Sequence, residues 1–223
     1  LKLTSQEEKY SPYTITVFKV LDYYNKKPIP QAKELIDWTS RLDSTFIDDQ
    51  PFKATTKDGE QKELASKKEK YYMFRTKAFF ENKNYNKCIE TSKQALDILN
   101  IFHSNNDIWL KRFIAKSNYN LGKLDIALSQ LNEILLLKKE WFIQKEIADI
   151  YFKKQEYKKS LKFAIASALN FGKFENKIHL FELLFEVLNA LNNKDLAKKH
   201  IEFVCLIRKK NQWNFNDNFS QLL

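Results

Sequence analysis

An all-α fold built from stacked helix pairs is predicted by three features of this 223-residue sequence. Glycine and proline are scarce, apolar residues recur at helical spacing over most of the length, and one segment repeats at intervals of 33 to 39 residues. Only three Gly and four Pro are present, against averages of roughly 7% and 5%. Such a chain has few sharp turns and few places where backbone could cradle a phosphate, which suits long helices joined by short loops.

Taken in order, Ser11-Pro12 opens the first helix as an N-cap followed by proline in the first turn. Val17, Val20, Leu21 and Tyr24 follow at helical spacing, and the helix ends near Asn25. After Lys27-Pro28-Ile29-Pro30, a second helix carries Ala32, Leu35, Ile36 and Thr39 on one side, with Trp38 and Leu42 widening the stripe. Residues 1–43 therefore read as an N-terminal helical hairpin. Residues 44–65 lose the periodicity, and Asp48-Asp49-Gln50-Pro51 and Lys57-Asp58-Gly59-Glu60 are turn signals, so an irregular linker is expected, with a small hairpin around Asp58-Gly59. Ser66-Lys67-Lys68-Glu69 has the spacing of a capping box, in which the Ser and Glu side chains satisfy each other's backbone donors. Helical pattern then continues nearly to Arg208.

Within residues 66–210 the chain resembles itself. Ala78-Phe79-Phe80-Glu81-Asn82-Lys83-Asn84-Tyr85-Asn86-Lys87-Cys88 aligns with Ile150-Tyr151-Phe152-Lys153-Lys154-Gln155-Glu156-Tyr157-Lys158-Lys159-Ser160: aromatics, a polar turn, a Tyr, then a small residue. Leu121-Gly122-Lys123-Leu124-Asp125-Ile126-Ala127 and Leu191-Asn192-Asn193-Lys194-Asp195-Leu196-Ala197 follow the same plan. The small residues Cys88, Ala127, Ser160 and Ala197 are explained by packing, because a side chain much larger than Ala would overpack a close helix crossing by roughly 1–3 kcal/mol. From Tyr85 to Leu124 is 39 residues and from Leu124 to Tyr157 is 33, close to the ~34-residue helix pair of tetratricopeptide repeats. About residues 70–208, some four repeats, the sequence resembles the tetratricopeptide repeat superfamily. The early Trp and Gly signatures of that family are mostly absent, and Arg75 stands where it usually places an apolar residue, which implies a shifted register or a buried acidic neighbour. Residues 211–223 form a tail whose Trp213, Phe215 and Phe219 are expected to cap the last apolar face.

The resemblance implies an α-solenoid with a right-handed superhelix whose concave face, lined by the first helix of each pair, binds peptide segments. On this chain those positions include Lys77, Phe80, Trp109, Arg112, Lys116, Tyr119, Lys145 and Phe152 in the first three repeats, with Glu182 and Glu186 making the far end acidic. Lys77, Arg112, Lys116 and Lys145 are expected to attract an acidic segment of a protein partner, and Trp109, Tyr119 and Phe152 to supply desolvated anchors. Packing between repeats and a solvated helix face would account for the same residues without a partner. Met73 and Asp149 depart from the set that clamps a chaperone's C-terminal carboxylates, so that ligand is not expected.

Lys and Arg exceed Asp and Glu by 38 to 28, a net charge of +10, which favours acidic partners; a codon bias toward Asn, Lys, Ile and Phe would give the same excess. Nucleic acid is the rival partner, but the basic residues are dispersed pairs and no nucleic-acid motif accompanies them. At the level of fold the arrangement also resembles helical regulatory modules of bacterial multidomain defence systems, which implies, as the alternative function, sensing of a peptide or contact with nucleic acid. An enzyme is not expected. His103, His179 and His200 lack metal-ligand spacing, Gly59, Gly122 and Gly172 are too scattered for a phosphate loop, and neither cofactor nor metal is called for. Cys88 and Cys205 sit in apolar helical patterns, which suits a reduced cytoplasmic compartment, and no apolar run of membrane-spanning length is present. The chain begins at Leu1 and has its only Met at position 73, as expected of an excerpt from a longer protein.

Overall fold

The computed structural model describes residues 6, 11–27, 31–55 and 58–214. Among them the architecture is helical, with ten α-helices and one two-stranded sheet, and no helix is long and apolar enough to cross a membrane. The chain divides into two compact units, Leu1–Lys123 and Leu124–Leu223.

The first unit starts with α1 (Pro12–Asn25), where the Ser11 hydroxyl accepts the Thr14 N–H at 3.1 Å as the expected N-cap. Helix α2 (Ala32–Ser40) returns beside it and a short 3-10 turn spans Ser44–Phe46. Strands β1 (Phe52–Thr55) and β2 (Gln61–Leu64) pair antiparallel with Phe52 opposite Leu64, which confirms a hairpin around Asp58-Gly59. Gly59 adopts φ +80°, a conformation costly for other residues. Helices α3 (Lys67–Glu81), α4 (Tyr85–Ile98) and α5 (Asn106–Asn120) complete the unit. Its core joins Val17, Phe18 and Leu21 of α1 to Leu35 of α2 and to Tyr71, Tyr72 and Phe74 of α3.

The second unit contains α6 (Leu124–Leu137), α7 (Trp141–Lys153), α8 (Tyr157–Leu169), a 3-10 turn Phe174–Lys177, α9 (Ile178–Ala190) and α10 (Lys194–Lys210). Its core is centred on α9, where Ile178, Leu180, Leu184 and Val187 meet Ala164 of α8 and Ile201 and Val204 of α10.

The repetition seen in the sequence is repeated in the backbone. Each first helix ends on a left-handed residue, Lys83, Gly122, Gln155 and Asn192 at φ 58°, 79°, 61° and 60°. In each turn the next residue's N–H returns to a carbonyl five positions back: Asn84 to Phe79 at 2.8 Å, and Lys123 to Asn118, Glu156 to Tyr151 and Asn193 to Leu188 at 2.9 Å. These are Schellman closures, which satisfy carbonyls that the helix end would otherwise leave open. The small residues after them are buried, with Cys88, Ala127 and Ser160 at 0% exposure and Ala197 at 1%. Ser160 Oγ donates to the Ala148 carbonyl at 2.9 Å, so the backbone of α7 comes within one hydrogen bond of α8. Both cysteines are free and buried.

Three sequence expectations change in detail. Arg75 is half-buried, with its guanidinium 5.8 Å from the Tyr71 ring centroid and 5.2 Å from that of Phe79; among the described residues, aromatic rings rather than a carboxylate accommodate it. Only half of the capping box forms: Ser66 Oγ accepts the Glu69 N–H at 3.0 Å, but the Glu69 carboxylate turns to donors in the chain around His103. Of the proposed cap, Trp213 is 40% exposed, while Phe215 and Phe219, like Pro28-Ile29-Pro30, lie outside the described residues.

Candidate functional site

All eight residues singled out as partner contacts sit on first helices and are half-buried. Each of these side chains is partly packed and partly open to solvent. In the first unit α3 supplies Lys77 and Phe80, and α5 supplies Trp109, Arg112, Lys116 and Tyr119. The helical repeat places residues three and four apart on one face, and this geometry puts the Arg112 guanidinium 5.4 Å from the Trp109 ring centroid. Between the helices, Lys116 Nζ lies 5.0 Å from the centre of the Phe80 ring. Phe80 is braced edge-on by Phe113 at 5.4 Å and by Tyr85 at 5.6 Å. The structure therefore brings together two cation-aromatic pairs on neighbouring helices, Trp109 with Arg112 and Phe80 with Lys116. Phe113 and Tyr85, absent from the sequence assignment, are what hold Phe80 in place.

Lys77 is partly committed. Its Nζ lies 3.3 Å from Asn25 Oδ1 and 3.9 Å from Glu81 Oε1. Burial raises the Glu81 pKa, and the Lys77 charge opposes that rise.

In the second unit Lys145 Nζ pairs with Asp149 Oδ2 at 2.8 Å, one helical turn away. Phe152 lies 5.6 Å from Tyr157 and packs against the apolar core. Glu186 has a pKa raised by burial and by the nearby Glu182 and Asp149 carboxylates, with Lys145 acting against them. Glu182 in turn binds Arg208 Nη2 and His179 Nδ1, each at 2.7 Å. The first-helix face of this unit sets Asp149, Glu182 and Glu186 beside Lys145, whereas that of the first unit carries Lys77, Arg112 and Lys116 beside Phe80, Trp109 and Tyr119.

No protein-family model matches the chain, and no curated protein matches it. Solved structures do. The apo form of RapI superposes with a TM-score of 0.67 at 16% identity, over 90% of this chain and 72% of RapI. TPR-like repeats from a Podosopora anserina protein named after kinesin light chain give 0.60 at 13% identity, over 90% and 96% of the two chains. MamA from Desulfovibrio magneticus RS-1 gives 0.59 at 10% identity, over 88% and 96%. The chain has a tetratricopeptide-like helical-repeat fold.

A buried polar cluster ties the first tetratricopeptide-like pair to the start of the next. Glu69 on α3 is 1% exposed. Its Oε1 accepts the His103 backbone N–H at 2.9 Å and Asn106 Nδ2 at 2.7 Å, and its Oε2 lies 2.9 Å from His103 Nδ1. His103 Nε2 reaches Glu63 Oε1 on β2 at 3.1 Å. The hydrogen bond to Glu69 raises the His103 pKa above the usual histidine value, with Glu63 adding to it against the effect of burial. Stabilisation contributed by the imidazolium is complete below the unfolded value of about 6.5 and is lost as pH rises through the higher folded value. The stability gap between wild type and His103→Gln is therefore expected to be widest near pH 6 and to narrow toward pH 9 in urea titrations. A gap independent of pH would remove the ion pair from the account.

Proposed function

We propose that this chain is a non-catalytic, tetratricopeptide-like scaffold or adaptor that binds an acidic or extended segment of a protein partner. The contact is made through the basic and aromatic face of α3 and α5. The observation that carries this reading is the pairing of Arg112 with Trp109 and of Lys116 with Phe80 on adjacent first helices. A cation held over a braced ring offers a carboxylate its charge and an apolar side chain its flank, the combination found at interface anchors. Lys77 and Tyr119 belong to the same proposal. Lys145, which pairs with Asp149, and Phe152 are assigned the corresponding role in the second unit. A cytoplasmic setting suits the two free, buried thiols.

The reading is tested by affinity capture from lysate with and without nuclease, followed by titration of the retained protein against Arg112→Glu/Lys116→Glu. Partner affinity is expected to fall about 10- to 30-fold, with a steeper dependence on salt in the wild type than in the variant. The helical circular dichroism signal should be unchanged. Equal affinity for both proteins would overturn the assignment of this face, and retention lost on nuclease treatment would assign the positive charge to nucleic acid instead.

A further inference from the structure

A second candidate site lies in the first unit, between α1, the β-hairpin and the start of α3. It is a cavity of about 540 Å³, within the range of small-molecule sites, roughly 300–1,000 Å³. Its apolar wall is made by Ile15 and Phe18 of α1 and by Phe52 and Leu64, which face each other across the hairpin ladder. Ile15 is 39% exposed and Phe52 51% exposed, so these side chains present apolar surface that the fold does not cover.

Apart from Ala65, His103 and Ser104, the remaining lining is charged and unequal in sign. Lys19, Lys62, Lys67 and Lys70 line it against two carboxylates, Asp22 and Glu63. Both carboxylates are already engaged: Asp22 Oδ1 pairs with Lys70 Nζ at 2.6 Å and Glu63 with the His103 ring at 3.1 Å. Lys19 and Lys62 are exposed and, among the described residues, take part in no ion pair. A ligand complementary to this lining carries an apolar body and a single anionic group. A neutral apolar molecule would make no use of the Lys19 and Lys62 charges, and a cation would be repelled by them.

We propose that this cavity binds an apolar carboxylate, its hydrocarbon part against Ile15, Phe18, Phe52 and Leu64 and its anion beside Lys19 and Lys62. Two sources present that chemistry, a free alkyl carboxylic acid and the C-terminal carboxylate of a peptide ending in apolar residues. The site is separate from the α3 and α5 face and does not depend on it.

The probes are hexanoate, octanoate and decanoate below their micellar concentrations, with decanol and decylamine as controls, and a short peptide ending in two leucines as the free acid and as the amide. Binding is followed by calorimetry and by the His103 ring resonances, since His103 lines the cavity. Affinity is expected to rise about fourfold per added methylene, the equivalent of ~0.8 kcal/mol of buried CH₂, and decanoate should bind at least about tenfold more tightly than decanol. Lys19→Gln/Lys62→Gln, two exposed positions whose replacement leaves the fold intact, should abolish the preference for acid over alcohol. Ile15→Asp should abolish decanoate binding. Tighter binding of the peptide acid than of its amide supports the same site with a peptide as source. No saturable binding of either acid, equal binding of decanol, or unchanged acid preference in the double lysine variant would each overturn the proposal.

Discussion

Replacing Lys177 by methionine is expected to lower the stability of the second unit by about 2–3 kcal/mol. The side chain is 1% exposed, and its ammonium donates to the Ser167 carbonyl at 3.2 Å, to that of Ala168 at 3.1 Å and to that of Asn170. These carbonyls close the last turn of α8, where the helix has no further N–H groups to offer them and where positive charge is favoured. Burial pushes the Lys177 ammonium below the usual lysine range, so desolvation opposes the arrangement. Three hydrogen bonds from a charged donor, each worth about 1.5–3 kcal/mol, outweigh it. Methionine keeps the apolar stem and removes all three donors. The turn beyond is fitted to that stem: a Cβ at Gly172 would stand 3.1 Å from Lys177 Cε and equally close to the Trp141 ring. Hydrogen exchange of the α8 and α9 amides reads the effect locally. Unchanged protection in Lys177→Met would mean that water serves the three carbonyls equally well.

Glu69→Ala is expected to cost the first unit about 2–4 kcal/mol. The substitution leaves the His103 N–H and the Asn106 amide without their acceptor, and it releases the segment that carries two consecutive left-handed residues, Ser104 at φ 52° and Asn105 at φ 58°. Glu69→Gln retains one carbonyl acceptor and should recover about half of the loss, while His103 moves back toward the ordinary histidine pKa and the pH dependence shrinks to the part that Glu63 supplies. Urea midpoints of the three proteins at pH 6 and pH 9 check both statements. A glutamine variant as unstable as the alanine one, or one whose pH dependence is undiminished, would contradict them.

The helices were legible because their signals are local. The Ser11 and Ser66 caps, the 3.6-residue apolar periodicity and the recurring small residues each act within a few positions, and each is found where the pattern put it. What could not be read joins distant positions. Glu69 and His103 are 34 residues apart, and nothing between them marks the carboxylate as more than half of a capping box. Lys177 looks in sequence like any solvated lysine, since only the path of the chain after α8 buries it. For the candidate contact face, the Lys145–Asp149 pair was readable from its four-residue spacing. The Phe80–Lys116 contact was not, because it depends on how closely α3 and α5 approach.

The left-handed turns also bear on how such a chain changes length. Lys83, Gly122, Gln155 and Asn192 close their turns with the same five-residue hydrogen bond although only one of them is glycine. The closure thus belongs to the backbone and survives wholesale exchange of side chains. A recombination event with both breakpoints at such turns joins one helix end to another of identical geometry, and where each repeat answers mainly to its neighbours, the disturbance is confined to a single new seam. Gain or loss of whole repeats is then a smaller structural change than insertion of a few residues inside a helix, so the number of repeats can drift among descendants more readily than the form of any one of them.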